Sequence, residues 1–190
     1  MRAIFTFCIL TCCILTAAAQ PSRDTTLKEQ KENVIKETTI VKVENLGEVI
    51  NTQNPEMRPT ISADGNLLFF IRQNDPANIQ YQTVPNSQDI WYSTRDSSGK
   101  WNKAKHLSAK VNASQYNAVY WISPDLNTIL LKGSFIDGQY LGMGVSMIHK
   151  REDNSWTNAE MLKIRNFGKF ALTPQIGASM GHDGKTLLFT

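Results

Sequence analysis

A serine between glycines near the end of the chain has the spacing of a hydrolase nucleophile. Residues 177–181 read Gly-Ala-Ser-Met-Gly, the G-x-S-x-G pattern in which a sharp strand-to-helix turn exposes the serine hydroxyl for attack on a carbonyl carbon. The residues that follow do not fit this arrangement, because Asp183-Gly184 predicts a turn and residues 187–190 an apolar strand. We therefore expect Ser179 to lie within a strand pair and to have no catalytic role.

Histidines and aspartates, the other common catalytic and metal-binding residues, are widely spaced. The histidines are His106, His149 and His182. None has a partner at the short spacing of zinc ligands, so we expect solvated surface positions. The aspartates that recur at equivalent turns are Asp64, Asp125 and Asp183. One aspartate per turn indicates turn chemistry rather than a paired acid–base site. These patterns predict no catalytic residue, no metal and no cofactor.

Tyrosines in predicted loops are the candidates for ligand binding. The stretches 73–87 and 133–144 are rich in proline and asparagine or in glycine, and 112–118 joins two predicted sheets. Loops on a rigid scaffold are where binding residues concentrate. Each of these loops carries one tyrosine: Tyr81, Tyr116 and Tyr140.

An internal repeat predicts the elements that carry these loops. Asp64 and Asp125 are 61 positions apart, and Trp101 and Trp156 are 55 apart. Strands of the first unit are predicted at 58–62, 66–72, 89–95 and 101–107. Strands of the second unit are predicted at 119–123, 128–132, 145–151 and 156–164. Two more follow at 175–180 and 185–190. Four short antiparallel strands per repeat are typical of a β-propeller blade.

The repeat leads to a division of the chain into three parts. We predict a signal peptide at 1–19, a flexible leader at 20–37 and propeller repeats at 38–190. The propeller part comprises a clasp strand at 38–46, a blade at 57–107, a blade at 118–164 and a half blade at 174–190. The expected fold class is all-β, with two complete blades and half of a third in an incomplete propeller.

The first nineteen residues have the organisation of a secretory signal. Arg2 precedes an apolar run at 4–15, and Ala17-Ala18-Ala19 offers a cleavage site. All three cysteines lie in this segment, so we expect the mature chain to have no disulfide. The formal net charge of +3 falls to +2 when the segment that contains Arg2 is removed. So small a positive charge does not indicate nucleic-acid binding. No later stretch is apolar enough to span a bilayer. We expect an exported protein, periplasmic or associated with the outer membrane.

Five short motifs resemble a known propeller repeat. They are Asn45-Leu46-Gly47, Ile50-Asn51, the Ser-x-Asp-Gly-x-x-Leu-x-Phe stretch at 62–70, Asp89-Ile90-Trp91-Tyr92 and Gly99-Lys100-Trp101. This set resembles the WD-repeat-like, TolB-type β-propeller repeat of cell-envelope proteins from Bacteroidetes-type bacteria, here in truncated form. The second unit departs from it, with Leu126 in place of Gly65 and Val145-Ser146 in place of Asp89-Ile90. The third has Gly181 in place of Ser62.

The resemblance implies a binding or scaffolding module for an envelope protein or glycan, without catalysis of its own. The alternative is the N-terminal propeller part of a truncated serine hydrolase of the prolyl oligopeptidase type. Both hypotheses stay open at the level of the sequence.

Overall fold

Ten β-strands make up the regular structure of residues 43–167 and 177–189, which are the residues that this computed structural model describes. The strands are β1 (Glu56–Ile61), β2 (Leu67–Gln73), β3 (Gln88–Thr94), β4 (Lys105–His106), β5 (Val119–Ile122), β6 (Thr128–Ile136), β7 (Gln139–His149), β8 (Glu160–Met161), β9 (Ala178–Met180) and β10 (Leu187–Phe189).

The strands form two four-stranded antiparallel sheets and one hairpin. The first sheet has the order β1-β2-β3-β4, the second sheet β5-β6-β7-β8, and β9 pairs with β10 in the short hairpin. The prediction of an all-β chain with four-stranded antiparallel sheets is therefore confirmed. The predicted signal peptide and leader lie outside the described residues, as does the clasp up to residue 42. Residues 43–46 belong to no strand. Within the described ranges, no helix has the length and apolarity needed to cross a bilayer.

The turn between the first two strands of each sheet is built from a serine and an aspartate. In the first sheet Ser62 Oγ donates to Asp64 Oδ1 at 2.5 Å and accepts from the Leu67 amide at 2.9 Å. The same two bonds, at 2.5 and 2.8 Å, hold the second turn, between Ser123, Asp125 and Thr128. The repeat seen in the sequence is therefore a repeat of hydrogen bonds.

In each of the aspartate turns, the residue directly after the aspartate has a left-handed backbone conformation. Gly65, Leu126 and Gly184 have φ angles of 73°, 60° and 67°. Leu126 thus takes a backbone conformation that costs a residue with a β-carbon about 1–2 kcal/mol. Its side chain packs against the buried residues between the sheets, which offsets that cost. The turn of the second sheet therefore forms although it has Leu126 where the first sheet has Gly65.

Three apolar layers hold the sheets together. The central core lies between the first and second sheets and includes Phe69, Ile90, Val119, Ile129, Leu131, Phe135 and Ile148. On the far face of the first sheet Ile50 covers Phe70 and Trp91. On the far face of the second sheet Leu130 and Val145 pack against Met180 of the short hairpin. Alternate residues of β2 and β6 therefore face opposite layers, so both strands are buried on both faces.

The prediction of a loop at 133–144 is wrong. Strands β6 and β7 continue through this stretch as one hairpin, with Ser134 opposite Gly142 and Ile136 opposite Gln139. Its glycines sit at register shifts or at the tight turn, where Gly138 has a φ of 77°. Glycine within a strand commonly marks such irregular pairing rather than a loop.

The other connections follow the prediction more closely. Residues 74–87 form the long loop between β2 and β3, as expected. The fourth strands are shorter than predicted. Trp101 and Trp156 make isolated bridges to Arg95 and Lys150, but regular pairing is limited to β4 and β8.

Candidate functional site

A cavity lies at one end of the two sheets. Tight turns occupy one end, which we call the turn end: residues 62–66, 95–101, 123–127 and 150–156. The opposite, loop end carries the connections 74–87 and 107–118 and the tip of the β6–β7 hairpin. The two connections and the strands behind this tip line a cavity of about 400 Å³. Segments far apart in sequence meet there at one surface.

Two of the three predicted binding tyrosines line this cavity. Tyr116 and Tyr140 are 43% and 39% exposed, and the cavity lies between them with Lys132 and Gln80. Tyr81, from the 74–87 loop, follows Gln80 but does not line the cavity. The structure thus brings Tyr116 and Tyr140 together and leaves Tyr81 apart.

The position of Tyr140 depends on Gly133, which has no side chain and so leaves room for the tyrosine ring. A β-carbon on Gly133 would lie 2.8 Å from Cε2 of Tyr140, and Gly133 has a φ of 104°. The Tyr140 ring also meets Phe135 of the central core edge-on, with centroids 5.4 Å apart. Glycine at position 133 therefore lets the tyrosine ring lie against the strand and face the cavity.

Tyr116 is held by the backbone around it. The Gln88 amide donates to the Gln115 carbonyl at 2.8 Å, and the Asn117 amide donates to the Gln88 carbonyl at 3.1 Å. Asn117 Nδ2 also donates to the carbonyls of Gln88 at 2.9 Å and Ser114 at 2.7 Å. These bonds attach the 107–118 connection to the start of β3, so the position of Tyr116 is tied to the first sheet.

Lys132 provides the positive charge of the cavity. Its ammonium lies 5.4 Å from the centroid of the Tyr116 ring. Partial burial, with a smaller contribution from the nearby charge of Arg58, holds the pKa of Lys132 below its usual value. Arg58 lies at a β-bulge of β1 with a φ of 50°. Sequence reasoning missed Lys132, although a lysine directly after the apolar run 129–131 was a usable signal.

Tyr120 lies close to the charge of Arg58. Burial raises the pKa of Tyr120 to about 12, and Arg58 acts in the opposite direction. Tyr120 sits at the irregular step of β5. The two first strands therefore carry their bulges at matching positions, and bulges commonly redirect side chains beside functional sites.

A buried polar network fixes the 74–87 loop against the first sheet. Asp89 Oδ2 accepts from the Ile79 amide at 2.8 Å. Asn78 Nδ2 donates to the Arg72 carbonyl at 2.9 Å, and Trp91 Nε1 donates to Asn78 Oδ1 at 3.1 Å. The loop that carries Gln80 is thus bound at its interior and not only at its ends.

The expectation that all three histidines are solvated is wrong for His106. Its Nε2 lies 2.7 Å from Asp89 Oδ2, with the two side chains 22% and 0% exposed. Register explains the pairing, because His106 on β4 lies opposite Trp91 on β3, two residues beyond Asp89. His149 and His182 are exposed, as predicted. In the described part of the chain, no hydroxyl group is hydrogen-bonded to the His106 ring.

The other predicted residues lie where turns and strands require them. Ser179 lies in β9 opposite Leu188 of β10, and a tight turn rather than a helix follows it. The pKa values of Asp64 and Asp125 are lowered first by the neighbouring serine hydroxyl and then by backbone amides. Among residues 43–167 and 177–189, no three histidine, cysteine, aspartate or glutamate side chains form a metal-binding group.

The fold and site together define an all-β chain with a ligand-sized cavity at the loop end of two four-stranded sheets. No protein-family model, curated protein or solved structure matches it. The resemblance to TolB-type repeats therefore depends on the motif residues and on the chemistry of the repeated turns.

Proposed function

We propose that the chain is an exported cell-envelope module of β-propeller repeats that binds a protein or a glycan at its loop end and has no catalysis of its own. The observation that carries this proposal is the convergence of two connections and the β6–β7 strand pair on one cavity with Tyr116 and Tyr140 in its wall. Tyrosine offers a large contact surface and a polar hydroxyl with few rotatable bonds, which suits recognition.

Several features support assigning the sheets to propeller blades. Each sheet is a simple four-stranded meander, and the two pack face to face through the central core. Their first strands are neighbours, since Thr60 Oγ1 donates to the Val119 carbonyl at 3.1 Å. Blades arranged around an axis place their first strands side by side in this way. The short hairpin, with its aspartate turn, corresponds to the first half of a further blade.

The environment of Ser179 favours binding over the hydrolase alternative. A nucleophile elbow needs a helix directly after the serine, whereas β10 follows Ser179 after one tight turn. Of the described histidines, His106 is paired with an aspartate, but it belongs to the first sheet and Ser179 to the short hairpin. This arrangement supports a scaffold whose function resides in its loop end.

Site-specific crosslinking in the native envelope tests the proposal. A photo-crosslinking amino acid is placed at Met143, which lines the cavity, and, as a matched control, at exposed Ser97 of the turn end. We expect an adduct from position 143 that is weakened by Tyr116→Ala, and no such adduct from position 97. Mass spectrometry then identifies the partner as protein or glycan. Equal adducts from both positions, or none from position 143, would contradict a loop-end binding site.

A further inference from the structure

We propose that the loop-end cavity recognises an acidic glycan, with Lys132 pairing with the anionic group of one sugar and Tyr116 and Tyr140 contacting its ring. The inference depends on the proposed function and narrows it, because it selects a glycan over a protein and a charged sugar over a neutral one.

The size of the cavity favours a sugar over a protein surface. A volume of about 400 Å³ lies within the range of small-ligand sites, roughly 300–1,000 Å³. A stable protein interface buries about 800 Å² on each partner and is commonly much broader than one cavity. One or two sugar rings fill such a space.

The mixed chemistry of the wall favours the same ligand. Tyr116, Tyr140 and Met143 present apolar surface, whereas Gln80, Ser114 and Gln115 present amide and hydroxyl groups. A pyranose ring has an apolar face of C–H groups and an edge of hydroxyl groups, so both parts of the wall find a matching surface. Ser114 Oγ and Gln115 Nε2 already donate to Asn117 Oδ1 and to the Pro85 carbonyl. A purely apolar peptide side chain would offer no partner to the Gln80 amide or the Lys132 ammonium, at a cost in free energy.

The charge balance around Lys132 calls for an anion. Among the described residues, the buried cation Arg72 is paired with both Glu56 at 3.0 Å and Asp75 at 3.3 Å. Within the described residues, neither Lys132 nor Arg58 forms a salt bridge. The nearby charge of Arg58 disfavours the charged form of Lys132, and an incoming anion reverses that effect. A carboxylate or a phosphate on the sugar satisfies this requirement equally.

The same charges predict that removing the charge of Lys132 has opposite effects on stability and on ligand binding. Because the pKa of Lys132 is lowered in the folded chain, its charged form is less favourable there than in the unfolded chain. The charge therefore reduces stability at neutral pH. This loss shrinks as the pH rises from the folded-state pKa to the higher unfolded-state pKa, and it is absent above both. We expect Lys132→Met, which keeps the aliphatic stem, to raise the melting temperature and to weaken binding of the acidic sugar. A residue with a purely structural role would not give this combination.

Calorimetry with three probes tests the inference: trigalacturonate, the neutral trigalactoside and galactose 6-phosphate. The secreted chain is expected to bind trigalacturonate at least about tenfold more tightly than the neutral sugar, a difference of about 1.4 kcal/mol. The affinity should fall with added salt and fall about tenfold or more in Lys132→Met. Lys103→Met, at an exposed position away from the cavity, is the control and should bind as the parent does. Tighter binding of galactose 6-phosphate would identify phosphate as the preferred anion.

Three outcomes would overturn the inference. Equal affinity for the neutral sugar, or full binding by Lys132→Met, would remove the acidic specificity and leave a glycan-binding loop end. Failure of all three probes, together with a protein adduct from position 143, would show that the cavity is a protein site, so the proposed function would stand without the glycan. Failure of the probes together with no adduct from position 143 would reject both proposals.

Discussion

Asn112 substitutes for a strand partner beside β3. Its Oδ1 accepts from the Ile90 amide at 2.8 Å, and its Nδ2 donates to the Leu107 carbonyl at 3.0 Å. The side chain is completely buried, so no water can replace these bonds. A single carboxamide therefore satisfies backbone groups that the short strand β4 leaves unpaired.

We predict that Asn112→Ala lowers the free energy of unfolding by about 1–3 kcal/mol, because a buried amide and carbonyl lose their partners. The measurement is the midpoint of urea denaturation. Asn127→Ala is the control, since the exposed Asn127 side chain bonds only to Asp125, and it should change the midpoint little. Equal losses of stability in the two variants would show that the buried hydrogen bonds of Asn112 contribute no more than the exposed local bond of Asn127.

Sequence reasoning identified part of the site at this scale. Tyr116 and Tyr140, which the sequence singled out, both line the cavity. Tyr116 lies in a connection as predicted, whereas Tyr140 was chosen for a glycine-rich loop and lies in a strand instead. Lys132 and the Asp89–His106 pair were not predicted. Their environments depend on which strands face each other, since Asp89 and His106 come together only through the register of β3 and β4.

The β6–β7 hairpin carries half of the residues that line the cavity. Gly133 and Gly142 both have positive φ angles, 104° and 134°. They differ in their surroundings, because a β-carbon at Gly133 meets the Tyr140 ring at 2.8 Å, whereas one at Gly142 meets nothing within 4 Å. A comparison of alanine variants at the two positions therefore distinguishes the cost of backbone strain from the cost of displacing the Tyr140 ring.

We predict that Gly133→Ala costs more stability than Gly142→Ala by about 1–3 kcal/mol, in the range for overpacking a well-filled site. Thermal denaturation of both variants gives the comparison. Tyr140→Ala removes the obstructing ring, so the added cost of Gly133→Ala should shrink in that background. An undiminished cost in the double variant would show that Tyr140 is not what Gly133 accommodates.

The repeated elements were predictable where local chemistry determines them. The Ser-x-Asp turns and the apolar strands that follow appear at the expected positions because side-chain hydrogen bonds within a few residues build the turn. The hairpin at 133–144 was missed for the opposite reason. Its pairing depends on contacts such as Phe135 with Tyr140, whereas glycine content alone indicates a loop.

The central core makes the two sheets depend on each other. Ile129 and Leu130 are adjacent on β6 and both completely buried, yet they face different layers. Ile129 packs with Phe69 and Ile90 of the first sheet, whereas Leu130 packs with Met180 of the short hairpin. Neighbouring positions on one strand therefore connect to different parts of the molecule.

We predict that Ile129→Ala and Leu130→Ala each cost about 2–5 kcal/mol but change different parts of the hydrogen-exchange pattern. Ile129→Ala should reduce amide protection in β2 and β3. Leu130→Ala should reduce protection in β9 and β10 more than in the first sheet. Exchange followed by mass spectrometry distinguishes the two patterns, and identical patterns would mean that the layers do not respond separately.

The unequal connections between the second and third strands also bear on how the chain avoids misfolding. Adjacent repeats with similar sequences are prone to exchange strands during folding, which gives trapped hybrid sheets. Here the first repeat joins β2 to β3 through the anchored 74–87 loop, whereas the second joins β6 to β7 through the tight turn at Asp137-Gly138. A hybrid sheet that pairs β2 with β7, or β6 with β3, would form neither the anchored loop nor the tight turn between its strands. We therefore expect the asymmetry that shapes the cavity also to disfavour exchanged strand pairs during folding.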